Sequence, residues 1–167
     1  NLDRARIREL TGAPPPPERP PIAEWLTGWT AADLDPAEAL DSLPGVLHHL
    51  ADAWARRDRP DVTLVHYADL LADRDGEMRR LATRLGLDGV DPGAWPALVE
   101  AAGLASMRAA ADRLAPDPGG ILRDRAAFFR RGGSGAGAEA LPPAAVARYE
   151  ARAAELAPPD LLAWLHR

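Results

Sequence analysis

The sequence predicts an α/β fold in which helices dominate, and three observations carry that expectation. Leu43, Leu47, Leu50 and Trp54 recur at helical spacing over residues 43 to 57. DVTLVHY, 61 to 67, is a short β-branched run without alternation, the pattern of a buried parallel strand rather than an exposed hairpin. Most of the remaining chain offers helix starts, helix stops and proline breaks instead of further strands. A buried parallel strand needs neighbours that this sequence hardly supplies. The expectation is therefore one partial domain over 1–167, its partner strands lying upstream of Asn1.

The elements follow in order. A short helix is expected over 2 to 10, and PPPPERPP (14–21) then breaks it as an extended connector. IAEWLTGW (22–29) reads as a short amphipathic helix with Trp25 and Trp29 on one side. In LDPAEAL, Asp35 is placed as an N-cap with Pro36 at the first helical position. The helix over 43 to 57 carries Arg56 and Arg57 in its last turn, and Asp58, Arg59 and Pro60 end it. After the strand comes a helix at 74 to 85, with Met78, Leu81 and Leu85 inward and Gly86 as its stop. Asp91-Pro92 opens another, and a further one covers 104 to 113. Residues 114 to 142 read as loop-rich. Pro142-Pro143 then starts a helix through Val146, Tyr149 and Leu156, followed by DLLAWL.

Composition excludes several chemistries. All 20 of the Lys+Arg residues are arginine, so no Walker-type phosphate loop and no lysine base or Schiff base can exist in this chain. The abundance of arginine, alanine, glycine and proline fits GC-rich coding. With no cysteine there are no disulfides, thiolate metal sites or cysteine nucleophiles. A net charge of -5 argues against general nucleic-acid binding. Nothing reads as a membrane span or secretory signal, so a cytoplasmic location is expected, and the start at Asn1 rather than Met points to a fragment. An anion site here must be local and built from arginine.

FFRRGGSGAG, 128 to 137, is the stretch that could build one. The Arg130 and Arg131 guanidinium groups suit phosphate or sulfate oxygens, and Gly132, Gly133 and Gly135 could let backbone N–H groups close around the same anion. An arginine-tipped glycine loop with no ligand is the competing reading, and the residues alone leave both open. His48 and His49 are adjacent on a helix, about 100° apart, so they cannot share a metal; one is expected near the core and the other outside. His66 ends the strand beside Tyr67, where a ligand could lie, although a structural role is the commoner one. His166 reads as solvated. Asp69, Asp73 and Asp75 fit turns and caps, and the five tryptophans read as packing anchors. No HExxH, EF-hand loop or Cys/His cluster is present. GGSGA does not meet the GxSxG elbow pattern.

Three segments together resemble the cytosolic-type sulfotransferases that use 3′-phosphoadenosine 5′-phosphosulfate. AWARRDRPDVTLVHYADLLAD (53–73) is similar to that family's helix, strand and Y-x-D-L turn. AAGLASMRA (101–109) resembles its T-S-F-x-x-M-[KR] segment, and FFRRGGSGAG resembles F-x-R-K-G-x-x-G. Order and spacing agree, and the likeness runs from about residue 22 to the end. It implies the C-terminal part of a three-layer α/β/α, P-loop-like domain whose N-terminal half is absent.

The resemblance implies roles as well. Tyr67 takes the place of a tyrosine beside the adenine; Ala102, Leu104 and Met107 fall on positions lining the adenine pocket. Phe128 opens the loop in which Arg130, Arg131 and Gly132 would hold the 3′-phosphate. The cofactor pair implied is 3′-phosphoadenosine 5′-phosphosulfate and adenosine 3′,5′-bisphosphate, with a small-molecule hydroxyl or amine acceptor, no nucleic acid and no membrane. The departures are plain. Leu104 replaces a phenylalanine, and Ala136, Gly137 and Ala138 stand where Asp-Trp-Lys is usual. The dimer motif K-x-x-x-T-V-x-x-x-E would overlie Ala138, Pro142, Pro143 and Ala147, so none of it is present. The phosphosulfate-loop lysine, the catalytic histidine and the R-x-x-x-x-x-x-x-S segment would all lie upstream, so no catalytic residue is expected in this chain and the isolated fragment should be inactive. The alternatives are a non-catalytic helical interaction module and a nucleotide-binding module without turnover.

Overall fold

The computed structural model describes every residue except Pro15, Pro16, Arg19 and Asp88. The chain divides into two compact units, one formed by 1–18 and 73–133, the other by 19–72 and 134–167. Pro15, Pro16 and Arg19 of the PPPPERPP connector thus lie outside the described residues.

In the first unit, α1 (Arg4–Thr11) starts where Asp3 accepts from the Ala5 and Arg6 N–H groups and stops at Gly12 in a left-handed conformation. The chain before it is stitched to residues 119–124. Asp3 N–H donates to Ile121 O at 2.7 Å and Arg123 N–H to Asn1 O at 3.0 Å. Leu2 and Leu122 form the isolated bridge between these segments.

α5 (Arg74–Arg84) is capped by Asp73, whose carboxylate accepts from Gly76 N–H at 2.8 Å. It packs on α6 (Trp95–Ala101) through Trp95, whose indole N–H donates to Asp75 Oδ1 at 2.5 Å while Arg79 lies over the ring. Met78 and Leu81 are half-buried as expected, but Leu85 is 66% exposed. The helix ends at Arg84, so Leu85 is its C-cap and turns outward ahead of Gly86. Asp91 opens a turn rather than a helix, accepting from Gly93 N–H before α6 begins. The helix expected over 104 to 113 is two pieces, α7 (Leu104–Ala109) and α8 (Ala111–Leu114), broken at Ala110.

The second unit has the larger core. α2 (Ile22–Ala31) carries Trp25 and Trp29 stacked at 6.2 Å. α3 (Leu43–Ala55) is capped by Ser42 and buries Leu43 and Leu47 against Ala153, with Trp29, Leu50, Tyr149 and Leu156 around them. Full burial of a leucine side chain is worth about 1.5–3 kcal/mol. Arg56 and Arg57 fall just beyond the helix, not in its last turn. Asp35 caps only a turn, its Oδ1 accepting from Ala37 N–H. A helix there cannot continue, because the backbone at Ala39 and Leu40 doubles back against Gly45 and Ser42 Oγ–H donates to Ala39 O.

The expected strand at 61–67 is not one. Residues 62–66 belong to neither helix nor strand, and Tyr67 already begins α4 (Tyr67–Ala72). Side-chain preference favours extended backbone locally, but a strand exists only in a ladder. Among the described residues the Leu2–Leu122 bridge lies elsewhere. His48 and His49 are both exposed, correcting the expectation that one packs inward: Leu47 and Leu50 occupy the inner face around them.

α9 (Ala136–Ala140) interrupts the expected loop, and α10 (Pro143–Leu156) and α11 (Pro159–Leu165) close the unit. Trp54 donates to Asp160 at 2.8 Å and packs at 5.4 Å on Trp164. Arg167 pairs with Asp69. Among the described residues no helix is long and apolar enough to cross a membrane.

Candidate anion-binding loop

Two of the three motif segments meet in the first unit. α7 is a helix of six residues that begins after Gly103, and Leu104 and Arg108 share one face of it at i, i+4 spacing. The chain after α8 is organised by Asp117, whose side chain is 1% exposed. Its carboxylate accepts from Ile121 N–H at 2.6 Å and Leu122 N–H at 3.3 Å, and Arg125 Nε lies 3.1 Å away. Burial alone would push this carboxyl up, but the Ile121, Arg125 and Leu122 hydrogen bonds outweigh it and hold Asp117 below the ordinary carboxylate range. From that anchored turn the chain enters a single 3₁₀ turn, Ala126–Phe128. Phe128 and Phe129 then cross edge to face at 5.3 Å.

The loop beyond is held to α7 at two points. Arg108 Nη2 donates to Phe129 O at 2.7 Å and also to Arg130 O, while its Nε donates to Phe129 O at 3.1 Å. Gly132 sits at φ +61°, and a Cβ placed on it would come within 2.5 Å of Leu104 Cδ2. The loop therefore lies directly on the Leu104 side chain, and glycine is the residue that permits both the turn and the approach.

The predicted residues sort as follows. Leu104, Phe128, Arg130, Arg131 and Gly132 are gathered into this loop and the helix beneath it. Leu104 and Met107 are half-buried and apolar, and Phe128 is 48% exposed. The Arg130 side chain is exposed and makes no hydrogen bond or ion pair among the described residues. Arg131 is also exposed. Ala102 is the C-cap of α6, exposed, one residue before the buried Gly103. Tyr67 belongs to the second unit, 50% exposed at the start of α4, and is not among the residues gathered here. Ser134, Gly135 and Gly137 likewise fall in the second unit.

Sequence reasoning missed Arg108 as a site residue. It occupies the [KR] position of the second quoted segment, and that was the available signal; what it binds depends on backbone carbonyls that no motif records. His66 is structural: its Nδ1 accepts from Ala68 N–H at 3.1 Å, its Nε2 lies 3.2 Å from Leu165 O, and its ring meets Trp164 edge-on. His166 is exposed, with Nε2 2.8 Å from the Tyr149 hydroxyl. Among the described residues no group of three or more His, Cys, Asp or Glu could hold a metal ion.

The chain is similar to known proteins over 130 residues. It is 43% identical to a glycolipid sulfotransferase of Mycobacterium bovis (strain BCG / Pasteur 1173P2), the match covering 77% of this chain and 39% of that protein. It is 42% identical to a glycolipid sulfotransferase of Mycobacterium tuberculosis (strain ATCC 25177 / H37Ra), covering 77% and 40% respectively. The match thus spans only about two fifths of the length of these relatives. No family model matches the chain, and no solved structure matches it.

Proposed function

We propose that this chain is part of a sulfotransferase that uses 3′-phosphoadenosine 5′-phosphosulfate, and that it contributes the 3′-phosphate and adenine side of the cofactor site. The observation that carries the reading is the meeting of two motif segments. Arg108 and the Phe129 carbonyl, 21 residues apart, are hydrogen-bonded, and Leu104 lies against Gly132. This contact leaves the Arg130 guanidinium outward, with the glycine turn beside it.

The residues fit the group. A nucleotide 3′-phosphate is dianionic, and Arg130 offers charge-assisted donors next to a turn with no Cβ to block it. Leu104 and Met107 offer an apolar wall to a purine face, by contact rather than stacking. Bound there, the cofactor would supply an activated sulfuryl group for transfer to a hydroxyl or amine acceptor. The relatives named for glycolipids make a glycolipid hydroxyl the first acceptor to try. The three-layer α/β/α fold belongs to the same proposal, as the architecture of the whole domain.

Isothermal calorimetry with adenosine 3′,5′-bisphosphate tests the reading. Arg130→Ala should weaken binding roughly ten- to hundredfold, the effect of removing a hydrogen-bonded charge from an anion. Unchanged binding in that variant would sink the assignment. Binding without turnover, in the protein extended upstream and supplied with donor and acceptor, would favour a nucleotide-binding module over an enzyme.

A further inference from the structure

We infer that Arg108 is the positioning residue of the anion-binding loop: it orients the backbone donors that face the ligand without touching the ligand itself. The inference rests on the reading of the loop as a phosphate site. Its basis is the geometry of two successive peptide groups. Among the described residues all peptide bonds are trans, so each carbonyl is antiparallel to the N–H of the next residue. Arg108 draws the carbonyls of Phe129 and Arg130 toward itself. The N–H groups of Arg130 and Arg131 are thereby turned to the opposite side.

The Arg130 N–H then points away from α7, on the side left to a ligand. Among the described residues, Arg130 N–H and Gly132 N–H make no backbone hydrogen bond. A run of N–H groups turned outward beside a guanidinium is the arrangement that holds phosphate oxygens in a nest. Without Arg108, either peptide plane can rotate and present an oxygen lone pair to the anion instead. One face of α7 therefore does two jobs: Leu104 sets how closely the loop approaches, and Arg108 sets which way its peptides face. A guanidinium suits the second role better than an ammonium, because Nε and Nη2 fork onto the Phe129 carbonyl while Nη2 also reaches that of Arg130.

The test compares the unaltered full chain with Arg108→Ala, Arg108→Lys and Arg130→Ala. Calorimetry with adenosine 3′,5′-bisphosphate is read beside ¹⁵N–¹H spectra of the same samples. Arg108→Ala should lose roughly tenfold or more in affinity, with amide resonances moving at 129–133 and holding still in α5 and α6. Arg108→Lys, whose single nitrogen cannot fork onto the Phe129 carbonyl, should fall between the unaltered chain and Arg108→Ala. Loss of affinity with shifts spread across α5 and α6 would mean only a damaged fold and would overturn the inference. Binding weakened by Arg130→Ala but untouched by Arg108→Ala would overturn it while leaving the site reading intact. Failure of the unaltered chain to bind removes the site reading, and the inference with it.

Discussion

Gly132→Ala probes the contact on which the site reading stands. Gly132 holds φ +61°, a left-handed conformation that costs an L-residue about 1–2 kcal/mol. The new methyl carbon would stand 2.5 Å from Leu104 Cδ2, where ordinary contact begins at 3.4 Å. Leu104 can swing aside, but leaving its rotamer well costs about 0.5–1.5 kcal/mol. The sum is on the order of 2–3 kcal/mol, acting on an exposed loop whose easiest relief is to lift off α7. Lifting removes the binding geometry rather than the core. The expected result is a loss in affinity for adenosine 3′,5′-bisphosphate of roughly thirty- to hundredfold, with a melting temperature within a few degrees of the unaltered chain. Adding Leu104→Ala relieves the clash but not the backbone strain, so the double variant should recover only part. A Gly132→Ala chain that binds as before would show that neither the turn nor its approach to Leu104 matters.

Two further outcomes test the framework around the site. Gly45→Ala should destabilise the second unit by about 1–3 kcal/mol, the range for overpacking, because its Cβ would meet Ala39 O at 2.2 Å; that contact is backbone and cannot swing away. Chemical denaturation reads the loss directly. Asp117 is held below the ordinary carboxylate range, so its contribution to stability is present above the unfolded value, near pH 3.9, and is lost as pH falls through the folded value. Thermal melts from pH 6 to pH 2 should therefore fall less steeply for Asp117→Asn than for the unaltered chain. Asp75 and Asp160, lowered chiefly by hydrogen bonds from Arg79 and from Trp54 respectively, should keep part of the slope.

What the sequence disclosed follows the range of the interactions involved. α3 was legible to within two residues at its C-terminus because Leu43, Leu47 and Leu50 encode a face every turn, and α10 because Pro143 marks its start. The run at 61–67 misled, because β-branched residues state a local preference while a ladder depends on a partner elsewhere in the chain. Asp35 misled for a related reason: its capping geometry formed, but the packing of Ala39 and Leu40 on Gly45 ended the helix before it began. In the candidate loop, Arg130, Arg131 and Gly132 could be singled out by the arginine and glycine pattern and by resemblance. The hold of Arg108 on the Phe129 and Arg130 carbonyls could not, since motifs record side chains and this contact is made to the backbone.

The interleaving of the two units bears on how the protein is made. Leu43 and Leu47 bury themselves against Ala153, so about a hundred residues must leave the ribosome before their partner exists. The intervening stretch, 73–133, belongs to the other unit. During that interval only Trp29 of α2 can shelter the apolar face of α3, and closing it requires a long loop whose entropy must be overcome. The arginine loop is translated well before that closure. Nascent chains in which α3 but not Ala153 has left the ribosome should accordingly be the ones that recruit holdase chaperones.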